Sequence, residues 1–351
     1  MARELHIRKH RHGMTLVELL VVIGIMTLLM AVSIPMIRPA FQDRYVREAG
    51  RQVNAFFSSA QSRAAELGRP VAVWIERVDA SELGSRHATR LYLADVAPSF
   101  TGATLSSRAI VAPIGVTKGT LNFVMNDPVD PTITDPDNLT PNILTTLLAQ
   151  GERFTIRFDH KGFVYNGQRT GPTTWVVDIP LGVPAGAEAG GRGLTFELTR
   201  GPSRSAAAPL TLPGDSVIDL SVSGMGTTGN EFDSVTVAPW TESPVIVSFA
   251  PSGRVEYVYM AGTAMRPFAP IHFLIGRKSR VVNPFTTSVA NPVTANLADP
   301  ACLWITISER TGTVLSSDNS DTSQLPPATL VPARIGAARE LARMSRQKGG
   351  R

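Results

Sequence analysis

The chain has 351 residues, a formal net charge of +5, 43% hydrophobic residues and a single cysteine, Cys302. One cysteine excludes an intramolecular disulfide framework, and so small a charge, concentrated at the two ends, argues against nucleic-acid binding by the bulk of the chain. The length suffices for a substantial core in one large domain or two.

Residues 1–13 form a basic leader in which Arg3, Arg8, Lys9 and Arg11 face one acid, Glu4. Residues 14–34 follow with a single ionisable group, Glu18. That is enough for a bilayer span, which takes about 20 apolar residues. The positive leader orients the N-terminus to the cytoplasm and exports the rest. A carboxylate inside such a segment costs about 2.5–3.5 kcal/mol on insertion scales, so Glu18 needs a use. An ordinary secretory signal cut near Ala31 or Ser33, or a plain membrane anchor, gives neither Glu18 nor Gly13 a role.

The run from Gly13 through the Thr15–Val22 core to Pro35 resembles the prepilin signal of the type IV pilin and type II secretion pseudopilin superfamily. Gly13 matches the glycine before the prepilin peptidase cut. Met14 matches the first mature residue, which that enzyme also methylates, although Phe is usual there. Glu18 matches the glutamate that follows this residue by four positions, and Pro35 the proline near the end of the span. The resemblance implies that the new Met14 amine pairs with Glu18 of a neighbouring subunit and sets the axial register of a filament. An unpaired buried charge is heavily penalised and a paired one tolerated.

Beyond Pro35, apolar or small residues recur at Phe41, Tyr45, Ala49, Val53, Phe56, Ala60, Ala64 and Leu67, steps of three or four that mark one helix face. Arg44, Arg47, Glu48, Arg51, Gln52 and Arg63 form the wet face, and Gly68 and Pro70 end the helix. Pro35 and Pro39 are expected to kink it. From residue 71, short apolar runs alternate with Gly, Pro, Asn and Asp. Strands are expected at 71–75, 90–94, 153–157, 175–179, 194–198, 217–220, 245–249, 255–259, 271–275 and 303–307. The stretches 97–150 and 180–215 read as insertions. The fold class is α+β: a long N-terminal helix, transmembrane in its first half and amphipathic in its second, packed on a large antiparallel β-rich head.

Residues 248–255, Ser-Phe-Ala-Pro-Ser-Gly-Arg-Val, resemble the F-x-P-x-G hairpin of H-type minor pseudopilins and related T-type fimbrial minor pilins. Residues 271–275 and the 304–314 run with its Thr311-Gly312 turn fit the strands that follow in that family, and 212–220 fits a segment upstream. Pro251 and Gly253 suit a tight turn.

Catalytic signals are absent. His87, His160 and His272 are scattered and no zinc spacing, nucleophile elbow or phosphate loop occurs. Cys302 reads as a buried hydrophobe. The 126–138 segment offers Asp127, Asp130, Asp135 and Asp137 as oxygen ligands for calcium, without a matched ligand spacing. After 325–332 the chain ends in a basic tail, with Arg334, Arg339, Arg343, Arg346, Lys348 and Arg351 against Glu340. It reads as a solvated, frayed end or a short helix lined by Ile335, Ala338, Leu341 or Ala342 and Met344, with anionic lipid or nucleic acid as candidate partners.

The sequence therefore divides into leader (1–13), membrane and filament-core helix (14–34), helix continuation (35–67), periplasmic head (68–331) and tail (332–351). The expected function is that of a non-enzymatic minor pseudopilin of a type II secretion system, without a cofactor. It would sit in the bacterial inner membrane and then the pseudopilus. Its partners would be prepilin peptidase, an inner-membrane assembly platform, other pseudopilins and the bilayer. The alternative is a type IV pilus minor pilin for adhesion or DNA uptake.

Overall fold

The computed structural model describes residues 15–126, 134–160, 162–233, 243–282, 294–322, 325–326 and 329–349, with backbone alone at 32–41, 134–135 and 346–349. The chain divides into two units, Met1–Arg44 and Tyr45–Arg351.

Helix α1 (Leu16–Leu67) starts in the first unit and is helical through Pro35 and Pro39. Its apolar side chains from Leu16 to Met30 are exposed, Leu16 at 79% and Leu28 at 68%. Among the described residues no helix is long and apolar enough to cross a membrane. The expected 14–34 span reaches past the described side chains, which stop at Ala31.

In the second unit the rest of α1 lies on the main sheet. Val46, Ala49, Val53, Phe57, Ala60 and Ala64 are all buried. The steps of three and four were legible, but the stripe differs from the expected one: Val46 and Phe57 are inside, whereas Tyr45 and Leu67 are exposed and Phe56 is half-buried. The expected stripe opens with three consecutive steps of four, which drift off a 3.6-residue period, whereas the buried face mixes steps of three and four so as to hold that period. At Gly50 an added Cβ would meet the Leu303 side chain, which is how closely helix and sheet approach.

The main sheet is antiparallel and 11-stranded among the described residues. Its order is β15 (Thr263–Met265), β14 (Val255–Met260), β13 (Val245–Phe249), β1 (Val71–Arg77), β2 (His87–Asp95), β12 (Ser216–Met225), β16 (Ile271–Arg277), β17 (Leu303–Ile307) and β18 (Val314–Asp318). The short β10 (Ser203–Arg204) and β11 (Leu210–Thr211) also pair with β2. Period-two alternation sorts its side chains. Val71, Val73 and Ile75 face the helix, with Val245, Val247, Phe273, Ile275 and Ile305, while Ala72, Ile246, Leu274 and Trp304 face the other way.

That second face is covered too. Helix α3 (Val331–Ala338) and helix α4 (Glu340–Gly349) bury Ile335, Ala338 and Ala342 against Val222, Leu274 and Trp304. The tail is thus a docked helix pair and not a frayed end, and Leu341 and Met344 are exposed. At the other end of this face stands a second antiparallel sheet, seven-stranded among the described residues. It runs β3 (Ser107–Ile114), β4 (Lys118–Asn126), β8 (Trp175–Asp178), β7 (Val164–Arg169), β6 (Arg153–Phe158) and β9 (Phe196–Arg200), with β5 (Thr134–Pro136) on β4. Its own core includes Phe123, Phe154, Ile156, Trp175 and Phe196, closed by Leu144 and Leu148 at helix α2 (Leu139–Leu147). The chain leaves the main sheet after β2 to build it and returns at β10. What looked like an insertion at 97–150 is therefore the start of a second core.

The expected 248–255 hairpin joins β13 to β14. Ala250 N donates to Arg254 O (2.9 Å) and Gly253, at φ +85°, turns the chain. The Thr311–Gly312 turn comes against it, and Gln61 of α1 donates from Nε2 to Gly253 O (3.0 Å) and Thr311 O (2.8 Å). Gly312 has φ +68°, and a Cβ there would run into the Gly253 carbonyl oxygen. Left-handed backbone and a backbone clash together make Gly312→Ala cost about 2–3 kcal/mol, read as a lower urea midpoint of the full chain with unchanged m-value.

Candidate functional site

The start of α1 carries the residues singled out in the sequence. Thr15 is the N-cap and its carbonyl accepts from Leu19 N (3.1 Å). Thr15 Oγ1 accepts from Glu18 N (3.2 Å), and Glu18 Oε2 accepts from both Thr15 N (2.9 Å) and Thr15 Oγ1 (3.1 Å). This reciprocal arrangement is a capping box, which satisfies orphan donors at a helix start. The carboxylate also complements the positive end of the helix dipole. Thr15 was missed in the sequence, although Thr-x-x-Glu before an apolar run is the signature of such a box. Glu18 is exposed, and its Oε1 takes no hydrogen bond among the described residues. Gly13 and Met14 lie outside the described residues, and Pro35 is described by its helical backbone alone.

Of the four aspartates proposed for calcium, only Asp137 has a described side chain. Asp127 and Asp130 lie outside the described residues, and Asp135 is described only as backbone in β5. Asp137 is buried and spends its oxygens on this chain's own donors. Oδ1 accepts from Leu139 N (3.0 Å) and Thr140 N (2.9 Å), and Oδ2 from Ser107 Oγ (2.8 Å) and Thr140 Oγ1 (2.5 Å). It fastens the start of α2 to β3. Among the described residues no cluster of His, Cys, Asp or Glu could hold a metal ion.

Burial pushes the Asp137 carboxyl up, but the bonds from Thr140, Ser107 and Leu139 outweigh it and hold it below the usual range. Its folded pKa lies below the unfolded value of about 3.9. Its stabilisation is therefore present above that value and is lost as pH falls through the folded pKa. Asp137→Asn is expected to cost about 1–3 kcal/mol at neutral pH. The gap to the parent chain should close in acid, as urea titrations at several pH values will read.

The tail's cations are divided. Arg339 is buried, donating from Nη1 to Gly226 O (2.8 Å) and from Nη2 to Val222 O (2.9 Å) and Gly229 O (2.8 Å), with its guanidinium 4.7 Å from the Trp304 ring centre. Arg334 is also buried and donates to Thr329 O (3.2 Å) and Pro326 O (2.5 Å). Arg343 is exposed. Cys302 is buried beside β17, as expected.

Comparison with curated proteins and with solved structures found no match. A family model, the prokaryotic N-terminal methylation motif, matches residues 8–34. That interval holds the end of the basic leader, the glycine, the capping box and the apolar run, so the N-terminal segment carries a prepilin-type motif and supports a pilin-like class for the chain.

Proposed function

We propose that the chain is a structural subunit, without catalytic activity or cofactor, of a type II secretion pseudopilus. Prepilin peptidase cuts it between Gly13 and Met14 and methylates Met14, and the subunit then assembles through its N-terminal helix. The observation that carries this reading is the methylation motif at 8–34. The exposed apolar face from Leu16 to Met30 supports it, because a contiguous apolar surface of that kind calls for lipid or neighbouring helices. Residues 14–34 would hold the unprocessed chain in the inner membrane, N-terminus in the cytoplasm and head in the periplasm. The paired turns at Gly253 and Gly312 support an H-type minor subunit.

Glu18 has two tasks in this reading. It caps its own helix through Oε2 and offers the charge that receives a neighbour's Met14 amine. Glu18→Gln separates them, since an amide oxygen still caps but carries no charge. Membrane insertion should be unchanged and filament incorporation lost, as scored by cross-linking to co-expressed subunits; normal incorporation sinks the pairing role.

The nucleic-acid reading of the tail, which went with a DNA-uptake pilin, loses Arg334 and Arg339 to the interior. This favours the secretion machine. The processing claim is tested by mass spectrometry of the membrane-extracted N-terminus. N-methylated Met14 is expected; a start at Ile34 or an intact leader overturns it. A melting temperature unmoved by calcium or chelator is the expected result for the 126–138 segment.

A further inference from the structure

The second sheet meets the main sheet along a seam beside β14. Asn166 of β7 holds the seam by bonding both backbone groups of Ala264, Nδ2 to Ala264 O (3.2 Å) and Ala264 N to Oδ1 (2.9 Å). Between the same two sheets lies a pocket of about 310 Å³, at the small end of the roughly 300–1,000 Å³ typical of small-molecule sites. Its walls come from both sheets: Arg157 and Glu197 on β6 and β9, and Glu256, Tyr257 and Tyr259 on β14.

The chemistry of these walls is mixed in a particular way. Arg157 donates from Nη2 to Tyr257 Oη (2.8 Å) and faces Glu197 at 3.5 Å, yet its Nε is buried without a hydrogen-bond partner. Glu256, half-buried on its strand, makes no hydrogen bond or ion pair among the described residues, and neither does the Tyr259 hydroxyl. Tyr257 and Tyr259 are both buried, their rings 6.2 Å apart and tilted by 59°. Donors, acceptors and aromatic surface thus line one pocket, and Glu256 and the Tyr259 hydroxyl bring bonding capacity to it that no described group of the chain uses. The lining cations, Arg69 and Arg157, balance the lining anions, Glu197 and Glu256.

We infer that this seam pocket is a binding site for a neutral sugar ring. Each hydroxyl of a pyranose both donates and accepts, so it needs a wall that supplies both, as Arg157, Tyr259 and Glu256 do. The C–H face of the ring needs an apolar surface, which the tyrosines give. An anionic ligand would want a net positive wall, a cationic one a net negative wall, and an apolar one fewer polar atoms. The pocket's size takes one ring. The site lies wholly in the head and is independent of filament assembly.

The test uses the full chain in a non-glycosidic detergent and saturation-transfer NMR. The probes are the methyl glycosides of glucose, galactose, mannose and N-acetylglucosamine, with acetate and methylguanidinium as charged controls. At least one glycoside should bind and both controls should not. Glu256→Gln should weaken that binding about tenfold by loss of a charge-assisted bond, and Tyr259→Phe should weaken it without removing the aromatic face. Unchanged melting temperatures show that the fold is intact, and either variant alone suffices if the other fails to fold. No glycoside binding, binding indifferent to the variants, or tighter binding of a charged control overturns the inference.

Discussion

Arg339→Ala is expected to lower the stability of the full chain by about 3–5 kcal/mol, because it empties the place of a buried guanidinium and removes the donor from one buried and two partly buried carbonyl oxygens. Those carbonyls belong to Val222, Gly226 and Gly229, where β12 ends and the chain turns. The planar fork of a guanidinium reaches all three at 2.8–2.9 Å while lying over the Trp304 ring. An ammonium is a point donor and cannot reproduce this, so Arg339→Lys should recover little. Arg343→Ala, on the same tail but exposed, should stay within about 0.5 kcal/mol of the parent. Urea midpoints of the three variants read the contrast. A small effect at Arg339 would mean that the tail is not part of the cooperative fold. Burial lowers the Arg339 guanidinium pKa, with Glu231 opposing it, which again marks this cation as an interior structural group.

The tail shows why part of this structure could not be read from sequence. A run of arginines facing one acid looks like a solvated end, and nothing local says that a turn at Gly226–Gly229 presents carbonyls needing a donor. Residues 216–225 posed the complementary problem. The apolar run 217–220 was legible, but the strand continues to Met225 through Ser221 and Ser223, both buried. Their hydroxyls are satisfied locally, Ser221 Oγ on Asp219 Oδ1 and Ser223 Oγ on Asp219 O, both at 2.5 Å, so a polar stretch runs through the interior. Burial raises the Asp219 carboxyl above its usual range, with hydrogen bonds from Ser221 and Asn296 opposing. The β3–β4 hairpin hid differently. Pro113, Gly115 and Gly119 break its apolar runs, and the alternation of Gly119, Leu121 and Phe123 toward the core has a glycine as its first member.

Where one face of a segment is apolar and its turns use Gly or Pro, the sequence was sufficient. All ten expected strands occur, with ends shifted by a few residues. The 248–255 hairpin was readable because Pro251 and Gly253 sit where the turn needs them. The N-terminal motif was readable for a related reason: a single carboxylate in an apolar helix is conspicuous, whereas the threonine that completes its cap is an ordinary residue until the bonds are seen.

The remaining large effect tests which face of α1 is inside. Phe57→Ala should cost about 3–5 kcal/mol, whereas Phe56→Ala, one position along, should cost about 1 kcal/mol because its ring is only half covered. Phe57 is fully buried and stacks on Phe273 at 5.6 Å and 15°, and Phe273 stacks in turn on Phe232 at 5.2 Å and 18°. Phe249 closes the column edge-on at 6.4 Å from Phe57. Truncating Phe57 therefore opens a cavity between helix and sheet that neighbouring rings, held in a packed stack, cannot easily collapse into. Adjacent helical positions differ by about 100° around the axis, so the two variants report on different faces. Equal losses, or a larger loss at Phe56, would rotate the helix toward the Tyr45, Phe56 and Leu67 stripe. A large loss confined to Phe57 fixes the face on which the helix carries its head and leaves the opposite side, with Arg47 and Arg51 exposed, free for solvent or partner subunits.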